Sequence, residues 1–149
     1  MAHSFVCNFA HIIFSTKERL PLLNPDIRPR LFEYMGGTVR GLDGTSILIN
    51  GVEDHVHILA ILDQKRALSD FMRDLKSASS TWVKQTFNSP SFGWQTGYAA
   101  FSVSKSIVPA VKAYLANQEE HHRHVTFQEE YLKFLKRHDI EYDERFVFD

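Results

Sequence analysis

The sequence predicts an α+β fold in which helices pack against an antiparallel sheet. Apolar residues alternate along the segments that we interpret as strands, and they recur every three or four residues along the segments that we interpret as helices. The elements follow in the order strand, helix, strand, strand, helix, strand, helix, helix. This order is typical of the ferredoxin-like, RRM-like split βαβ plan, here with a C-terminal helical extension. A chain of 149 residues has the size of one domain, so we expect a single domain over residues 1–149.

The first half of the chain contains three of the predicted strands and one helix. Residues 4–16 alternate loosely and predict a long first strand, in which Cys7 would be a small buried side chain. Asn24 or Asp26 can cap the first helix, which ends between Gly36 and Gly41. Its apolar residues at helical spacing are Ile27, Leu31, Tyr34 and Met35. Residues 46–52 and 55–62 then predict a hairpin that turns at Glu53 and Asp54.

The second half alternates helices with one further strand. Residues 67–87 carry one apolar stripe and predict the second helix, and residues 98–104 predict the fourth strand. A third helix is predicted from Ser104 or Ser106 to Arg123, with Pro109 tolerated in its first turn. Thr126 and Glu129 have the spacing of a capping box, which predicts a last helix that runs to about residue 138.

Composition excludes several classes of protein. Apolar residues make up 44% of the chain and charged residues 23%, as in globular proteins rather than disordered ones. No apolar run reaches the roughly 18–20 residues that cross a bilayer, and the first residues do not resemble a secretory signal. We therefore expect a cytoplasmic protein that does not associate with membranes. The net charge of −1 argues against a long basic surface that binds duplex DNA through phosphates alone.

Two histidines open the second strand of the predicted hairpin. His55 and His57 are two residues apart, so they share one face of the strand while Val56 points to the other. Such a pair can bind a divalent metal ion, and Glu53 and Asp54 could orient the imidazoles without binding the ion themselves. Alternatively, one histidine caps the turn and the other is a buried side chain with a hydrogen-bond partner. The spacing by itself does not decide between these interpretations.

The predicted third helix carries further candidate residues. Tyr114 and Gln118 are one turn apart and share a face, although a tyrosine beside an apolar stripe can also serve only in packing. Residues 121–124, His-His-Arg-His, follow at the end of the helix, where the helix dipole favours cations. A zinc site that combines them with His55 and His57 is conceivable, but a chain with one cysteine lacks the usual structural zinc patterns.

In combination these motifs resemble a known family. The strand EDHVHIL, the Trp-Gln-x-Gly-Tyr segment at residues 94–98 and the Tyr-x-x-x-Gln helix together resemble the HUH single-tyrosine transposases of the insertion sequence 200/605 type. The resemblance extends from AHIIFSTKERLPLL to YLANQEEHHR and covers nearly the whole chain. It implies a metal-dependent enzyme that cleaves and rejoins single-stranded DNA through a covalent 5′-phosphotyrosine.

The resemblance also implies a role for each candidate residue. Tyr114 would be the nucleophile, and His55, His57 and Gln118 would bind the metal ion, expected to be Mg²⁺ or Mn²⁺. Members of the family are dimers in which the tyrosine helix of one subunit completes the histidine site of the other. We therefore expect a homodimer with the tyrosine helix acting in trans on single-stranded or hairpin DNA. Four lysines could contact DNA phosphates, or could simply lie on solvated helix faces: Lys76, Lys84, Lys105 and Lys112.

Two other functions are compatible with the same residues. In a non-covalent metal-dependent phosphodiesterase, water would attack the phosphate and Tyr114 would only pack. In a non-enzymatic module, the sheet would bind single-stranded nucleic acid and the histidines would have no role in binding.

Overall fold

The computed structural model of the protein describes residues 3–149 and contains a four-stranded antiparallel sheet with the strand order β2-β3-β1-β4. The strands are β1 (Phe9–Ser15), β2 (Thr45–Gly51), β3 (His55–Ile61) and β4 (Ala99–Val103). The helices are α1 (Ile27–Gly41), α2 (Leu68–Thr86), α3 (Val108–Ala116), α4 (Gln118–His121) and α5 (Phe127–Arg137). This strand order confirms the predicted ferredoxin-like fold.

One face of the sheet is covered by α1 and α2 and forms an apolar core. The alternate residues Val56 and Ile58 of β3 point into it, beside Ile12 and Phe14 of β1. The helices contribute buried side chains at the predicted three- and four-residue spacing: Leu31, Met35 and Val39 from α1, and Phe71, Leu75 and Val83 from α2. Each fully buried aliphatic side chain stabilises the fold by roughly 1.5–3 kcal/mol.

The opposite face is covered by the C-terminal segment. Helix α3 packs Val108 and Leu115 against Leu59 and neighbouring apolar residues of the sheet. Helix α5 packs Phe127, Tyr131 and Leu135 against Ile13, Ala99 and Phe101. The capping box that opens α5 is present, with the Thr126 side chain and Glu129 bonded to each other's backbone N–H groups. Asn24 caps α1, because its Oδ1 accepts from the Ile27 N–H at 3.0 Å.

The first strand is shorter than predicted. It begins at Phe9 rather than at Ser4, because its partner strands end where Phe9 pairs with Ile61 and with Val103. Residues 3–7 therefore have no ladder to join, and Cys7 is exposed instead of buried.

The predicted third helix is interrupted. A 3-10 turn at Lys105–Ile107 precedes α3, which ends at Ala116. Asn117 then adopts φ −102° and ψ 27°, outside the helical range, and Gln118 begins the separate four-residue helix α4. Tyr114 and Gln118 thus lie on different helices, contrary to the prediction. Among residues 3–149, no helix has the length and apolar character that a membrane crossing requires.

Candidate active site

His55 and His57 lie on the sheet face that the C-terminal segment covers, and both are fully buried. The turn before β3 leaves no room for a side chain at Gly51, where a Cβ would clash with the carbonyl oxygen of His55. Asp54 Oδ1 lies 2.7 Å from Nδ1 of His55. The predicted role of Asp54 in orienting an imidazole therefore has a matching contact, whereas Glu53 is exposed and its carbonyl group accepts from the Leu23 N–H.

His57 is held between two side chains. Its Nδ1 lies 2.8 Å from Nε2 of His11 on β1, and its Nε2 lies 2.8 Å from Oε1 of Glu130 on α5. Burial lowers the pKa of His57 to about 4 even though Glu130 favours the charged form. Burial, together with His57, likewise lowers the pKa of His11 to about 3. Both imidazoles are therefore neutral at neutral pH, which is the state that binds metal ions.

Glu130 is the central residue of the site. Its side chain is 2% exposed, and Oε1 lies 3.4 Å from Nε2 of His55 and 3.2 Å from Nε2 of His122. Burial alone would raise the pKa of Glu130, but hydrogen bonds with His122, His55 and His57 outweigh it and lower the pKa. Burial also disfavours charge on His55, yet the hydrogen bonds with Asp54 and Glu130 raise its pKa. The carboxylate and the imidazoles thus depend on one another for their charge states.

Tyr114 lies in the last turn of α3 and points toward this cluster. The Asn50 side-chain amide of β2 donates to the carbonyl oxygen of Leu115 at 2.8 Å and holds the end of α3 on the sheet. The Tyr114 ring centroid lies 6.0 Å from that of His57. Its hydroxyl group contacts the Glu130 carboxylate and lies 3.1 Å from Nε2 of His121. Burial, followed by the contact with Glu130, raises the pKa of Tyr114.

Gln118 is buried beside Tyr114. Its Nε2 lies 3.4 Å from the carbonyl oxygen of Tyr114. Its Oε1 is buried and has no hydrogen-bond partner among residues 3–149, an uncommon state for an amide oxygen. An orphaned oxygen of this kind is chemically suited to bind a metal ion.

The described residues include one group that could hold a metal ion. It consists of His55, His57, His122 and Glu130, whose ligand atoms all lie within 4.8 Å of one another. Imidazole and carboxylate donors suit zinc, manganese, cobalt and nickel, and the donor set therefore fits a divalent ion.

The four lysines are dispersed and lie outside this group. The ammonium group of Lys76 donates to the carbonyl oxygens of Gln95, Thr96 and Gly97, so its donors are engaged within the chain, and burial lowers its pKa to about 8. The other three, Lys84, Lys105 and Lys112, are exposed.

Sequence reasoning did not assign a role to His11 or Glu130, and it explained His122 by the helix dipole, with a zinc site shared with His55 and His57 as a conceivable alternative. One signal for Glu130 existed: it lies three residues after Phe127 and four before Phe134, on the apolar stripe of the last helix. A carboxylate at such a position is rarely buried without a partner. His11 and His122 carry no comparable local signal, because their contacts depend on the packing of separate elements.

Comparisons with known proteins bear on the family and the fold of the chain. The family model of IS200-like transposases matches residues 5–118, which include His55, His57, Tyr114 and Gln118 but end before His122 and Glu130. No curated protein matches the chain. A crystal structure of a candidate transposase from Deinococcus radiodurans R1 is 22% identical, with a TM-score of 0.64, over 79% of this chain and 96% of that one. A REP-associated tyrosine transposase bound to a REP hairpin is 11% identical, with a TM-score of 0.51, over 77% of this chain and 68% of that one. Both have the same fold.

Proposed function

The chain belongs to the family of IS200-like transposases, and we propose that it cleaves and rejoins single-stranded DNA through a covalent bond between Tyr114 and a 5′-phosphate. The observation that carries this proposal is the contact of the Tyr114 hydroxyl group with Glu130, whose carboxylate also binds His57. The candidate nucleophile and the histidine pair come from distant parts of the chain and meet in one site.

In the proposed reaction the Tyr114 hydroxyl oxygen attacks the scissile phosphorus. The new bond between tyrosine oxygen and phosphorus forms as the bond from phosphorus to the 3′ oxygen breaks. Tyrosine loses its proton and the departing 3′ oxygen gains one, which leaves a 5′-phosphotyrosine and a free 3′-OH. Because the phosphodiester is retained in this ester, another 3′-OH can attack it and rejoin the strand without ATP. Transposition requires this reversibility, and hydrolysis does not.

The residues around Tyr114 control its proton. The raised pKa means that the hydroxyl is protonated at neutral pH and must lose its proton during the attack. Nε2 of His121 and the Glu130 carboxylate both lie at contact distance from the hydroxyl group and orient that proton.

We infer that His55 and His57 bind a divalent ion, Mg²⁺ or Mn²⁺, with the orphaned Oε1 of Gln118 as a further ligand. When bound, such an ion supplies a contact to a non-bridging phosphate oxygen and neutralises charge that develops in the transition state. Asp54 and His11 hold the outer nitrogens of the two imidazoles and fix the directions in which their inner nitrogens point.

The proposed substrate is single-stranded or hairpin DNA. One structure of the same fold is that of a REP-associated tyrosine transposase bound to a REP hairpin. A near-neutral chain favours an accessible, flexible strand over a duplex gripped through many phosphates. The exposed Lys84, Lys105 and Lys112 remain candidates for phosphate contacts.

The homodimer with a tyrosine helix in trans is an expectation from the family. In the described chain Tyr114 lies beside the histidines of its own sheet, and the bond between Asn50 and Leu115 keeps α3 there. Mixing Tyr114→Phe chains with chains that carry His55→Asn and His57→Asn separates the two arrangements. Activity recovered on mixing indicates action in trans, and no recovery indicates action in cis.

A covalent adduct tests the reaction itself. A pool of random single-stranded oligonucleotides labelled at the 3′ end is incubated with the chain and Mn²⁺, and label attached to denatured protein is measured. We expect an adduct with the wild type and with the control Tyr142→Phe, and none with Tyr114→Phe. Cleavage without an adduct would instead indicate the phosphodiesterase, and binding without cleavage would indicate the non-enzymatic module. An adduct formed by Tyr114→Phe would overturn the proposal.

A further inference from the structure

We propose that His122 and Glu130, both beyond the part of the chain that the family model matches, are metal ligands. Together with the Gln118 amide of the proposed function, the centre would then hold three imidazoles and one carboxylate, all four from one protomer: His55, His57, His122 and Glu130. The inference rests on the proposed function, because it concerns the same ion, and it adds two ligands supplied by the C-terminal segment.

The first support is the convergence of four donor atoms. Nε2 of His57 and Nε2 of His122 lie 2.8 and 3.2 Å from Oε1 of Glu130. Nε2 of His55 lies 3.4 Å from the same oxygen and 3.0 Å from Nε2 of His122. Ligands bound tetrahedrally at roughly 2.0–2.1 Å from zinc lie about 3.3 Å from one another. Four of the six distances between donor atoms are therefore already close to the spacing that a bound ion would impose, and all six are within 4.8 Å.

The second support is the arrangement of the outer nitrogens. Each of the three histidines directs Nε2 inward, while its Nδ1 contacts a partner outside the cluster. These partners are Asp54 Oδ1 at 2.7 Å for His55, His11 Nε2 at 2.8 Å for His57 and the Val125 carbonyl oxygen at 2.6 Å for His122. Metal-binding histidines almost always have such an outer partner, because it fixes the tautomer and the orientation of the ring. With the outer nitrogens held in this way, all three histidines direct Nε2 toward the same carboxylate oxygen, Oε1 of Glu130.

The third support is the rigidity with which α5 presents Glu130. The capping box fixes the start of the helix one turn before Glu130. Phe127 and Tyr131, on either side of it, are buried against the sheet. The end of the chain is also attached, since the Asp149 carbonyl oxygen accepts from the Gly97 N–H at 2.8 Å. Glu130 is therefore held at the site by several independent contacts.

The second oxygen of Glu130 gives this ligand a further role. Oε1 points to the histidines, whereas Oε2 contacts the Tyr114 hydroxyl group and lies 3.1 Å from Nε2 of His121. One carboxylate thus connects the metal centre with the nucleophile. Glu130 would bind the ion directly and would act on Tyr114 as a positioning residue.

The ligand set determines which ions bind. Three imidazoles and a carboxylate favour first-row transition ions, whose affinities rise from Mn²⁺ through Co²⁺ and stay high for Zn²⁺, whereas Mg²⁺ prefers oxygen ligands. The proposal therefore predicts clearly tighter binding of Co²⁺ and Zn²⁺ than of Mg²⁺. A site made of only two histidines and the Gln118 amide would discriminate less between these ions.

The test is a titration of the full chain with Co²⁺ and with Zn²⁺. Binding is measured by calorimetry and, for Co²⁺, by the visible spectrum of the bound ion. We expect Glu130→Gln and His122→Asn to weaken binding by at least ~100-fold, since even outer partners of ligands typically contribute 10–100-fold. Glu129→Gln makes the same charge change one residue away and keeps a capping side chain, and His124→Asn changes an exposed histidine. Both controls should bind as the wild type does.

Folding of each variant is checked by circular dichroism without metal. X-ray absorption of the zinc-loaded wild type needs no variant and counts the imidazoles directly, so it decides the matter if Glu130→Gln does not fold. Three imidazoles support the proposal, and two overturn it. Wild-type affinity in Glu130→Gln and His122→Asn, beside lost affinity in His57→Asn, would overturn this inference alone. A wild-type chain that binds none of the ions would overturn the metal site of the proposed function as well.

Discussion

The two faces of the sheet bury the same strands in opposite ways. Under α1 and α2, β3 contributes Val56 and Ile58 to a core made of apolar side chains. Under α3 to α5, the alternate positions of the same strand contribute His55 and His57 to a buried cluster of ionisable groups. All four side chains are 0% exposed, so the difference lies in chemistry and not in burial.

This difference shows what each face needs in order to fold. An apolar side chain gains free energy from burial wherever it is well packed. A buried imidazole or carboxylate loses hydration and is tolerated only with partners, which is why the outer nitrogens of His55, His57 and His122 all have one. The apolar face therefore stabilises the protein. The polar face holds the reactive groups, and each of these groups stays buried only because the others are its hydrogen-bond partners.

The largest effect is expected when a charge is placed on the apolar face. Val56→Asp would bury a carboxylate that has no polar partner there, and it should lower the free energy of unfolding by at least about 4 kcal/mol. Urea denaturation followed by fluorescence measures the loss. Ser102→Asp on the exposed side of β4 is the control and should stay within about 0.5 kcal/mol of the wild type. An unchanged urea midpoint in the Val56→Asp chain would contradict the claim that this face tolerates only apolar side chains.

A cavity on the apolar face should reduce stability without changing the chemistry. Leu75→Ala on α2 removes a fully buried side chain, and we expect a loss of about 2–5 kcal/mol. The rate of adduct formation per folded molecule should remain that of the wild type. Gln85→Ala, at an exposed position on the same helix, should change neither quantity. If Leu75→Ala slowed adduct formation per folded molecule, the two faces would not be independent.

On the polar face, metal affinity should depend on pH. The pKa of His55 in the metal-free chain is raised above its ordinary value of 6.5, so the imidazole is protonated below the raised pKa and must lose that proton to bind an ion. Affinity should therefore fall as the pH falls, by up to about tenfold per pH unit for one proton. Calorimetry in buffers of different ionisation enthalpy measures the number of protons that the chain releases when it binds the ion. Binding that does not vary with pH would mean that His55 is not a ligand.

The smallest expected effect concerns the helix that carries Glu130. Thr126→Ala removes the side chain that accepts from the Glu129 N–H, and it should cost about 1 kcal/mol of stability. Because α5 presents Glu130, metal affinity should fall in parallel. Thr126→Ser keeps the hydroxyl group and should retain both the stability and the metal affinity of the wild type. If Thr126→Ala lost stability without any loss of metal affinity, the cap would not support the site.

Periodicity was sufficient to predict the sheet and most helices. The hairpin of β2 and β3, the helix α2 and the capped α5 were predicted within a few residues, because each depends on local pattern and capping chemistry. The start of β1 was predicted wrongly, since alternation continues to Ser4 although the neighbouring strands do not. The break at Asn117 was missed for a related reason: asparagine weakens a helix but does not by itself end one.

The candidate site was only partly accessible from sequence. The pair His55 and His57, with Tyr114, could be proposed because a motif resemblance connects them. His11 and Glu130 could not be assigned, and His122 entered only as part of a conceivable zinc site. Each meets the pair only when β1, the end of α4 and α5 are brought together by the fold. Local sequence does not encode such contacts, and the position of Glu130 on an apolar stripe was the one indication of them.

The strict alternation of side chains between the two faces of β3 limits how this strand can change in evolution. A substitution at Val56 or His57 alters one face and leaves the other intact. Deletion of a single residue inside the strand would instead exchange the faces, with the histidines turned into the apolar core and the aliphatic side chains turned toward Tyr114. Descendants of this sequence can therefore be expected to vary β3 in composition, but to change its length only in steps of two residues.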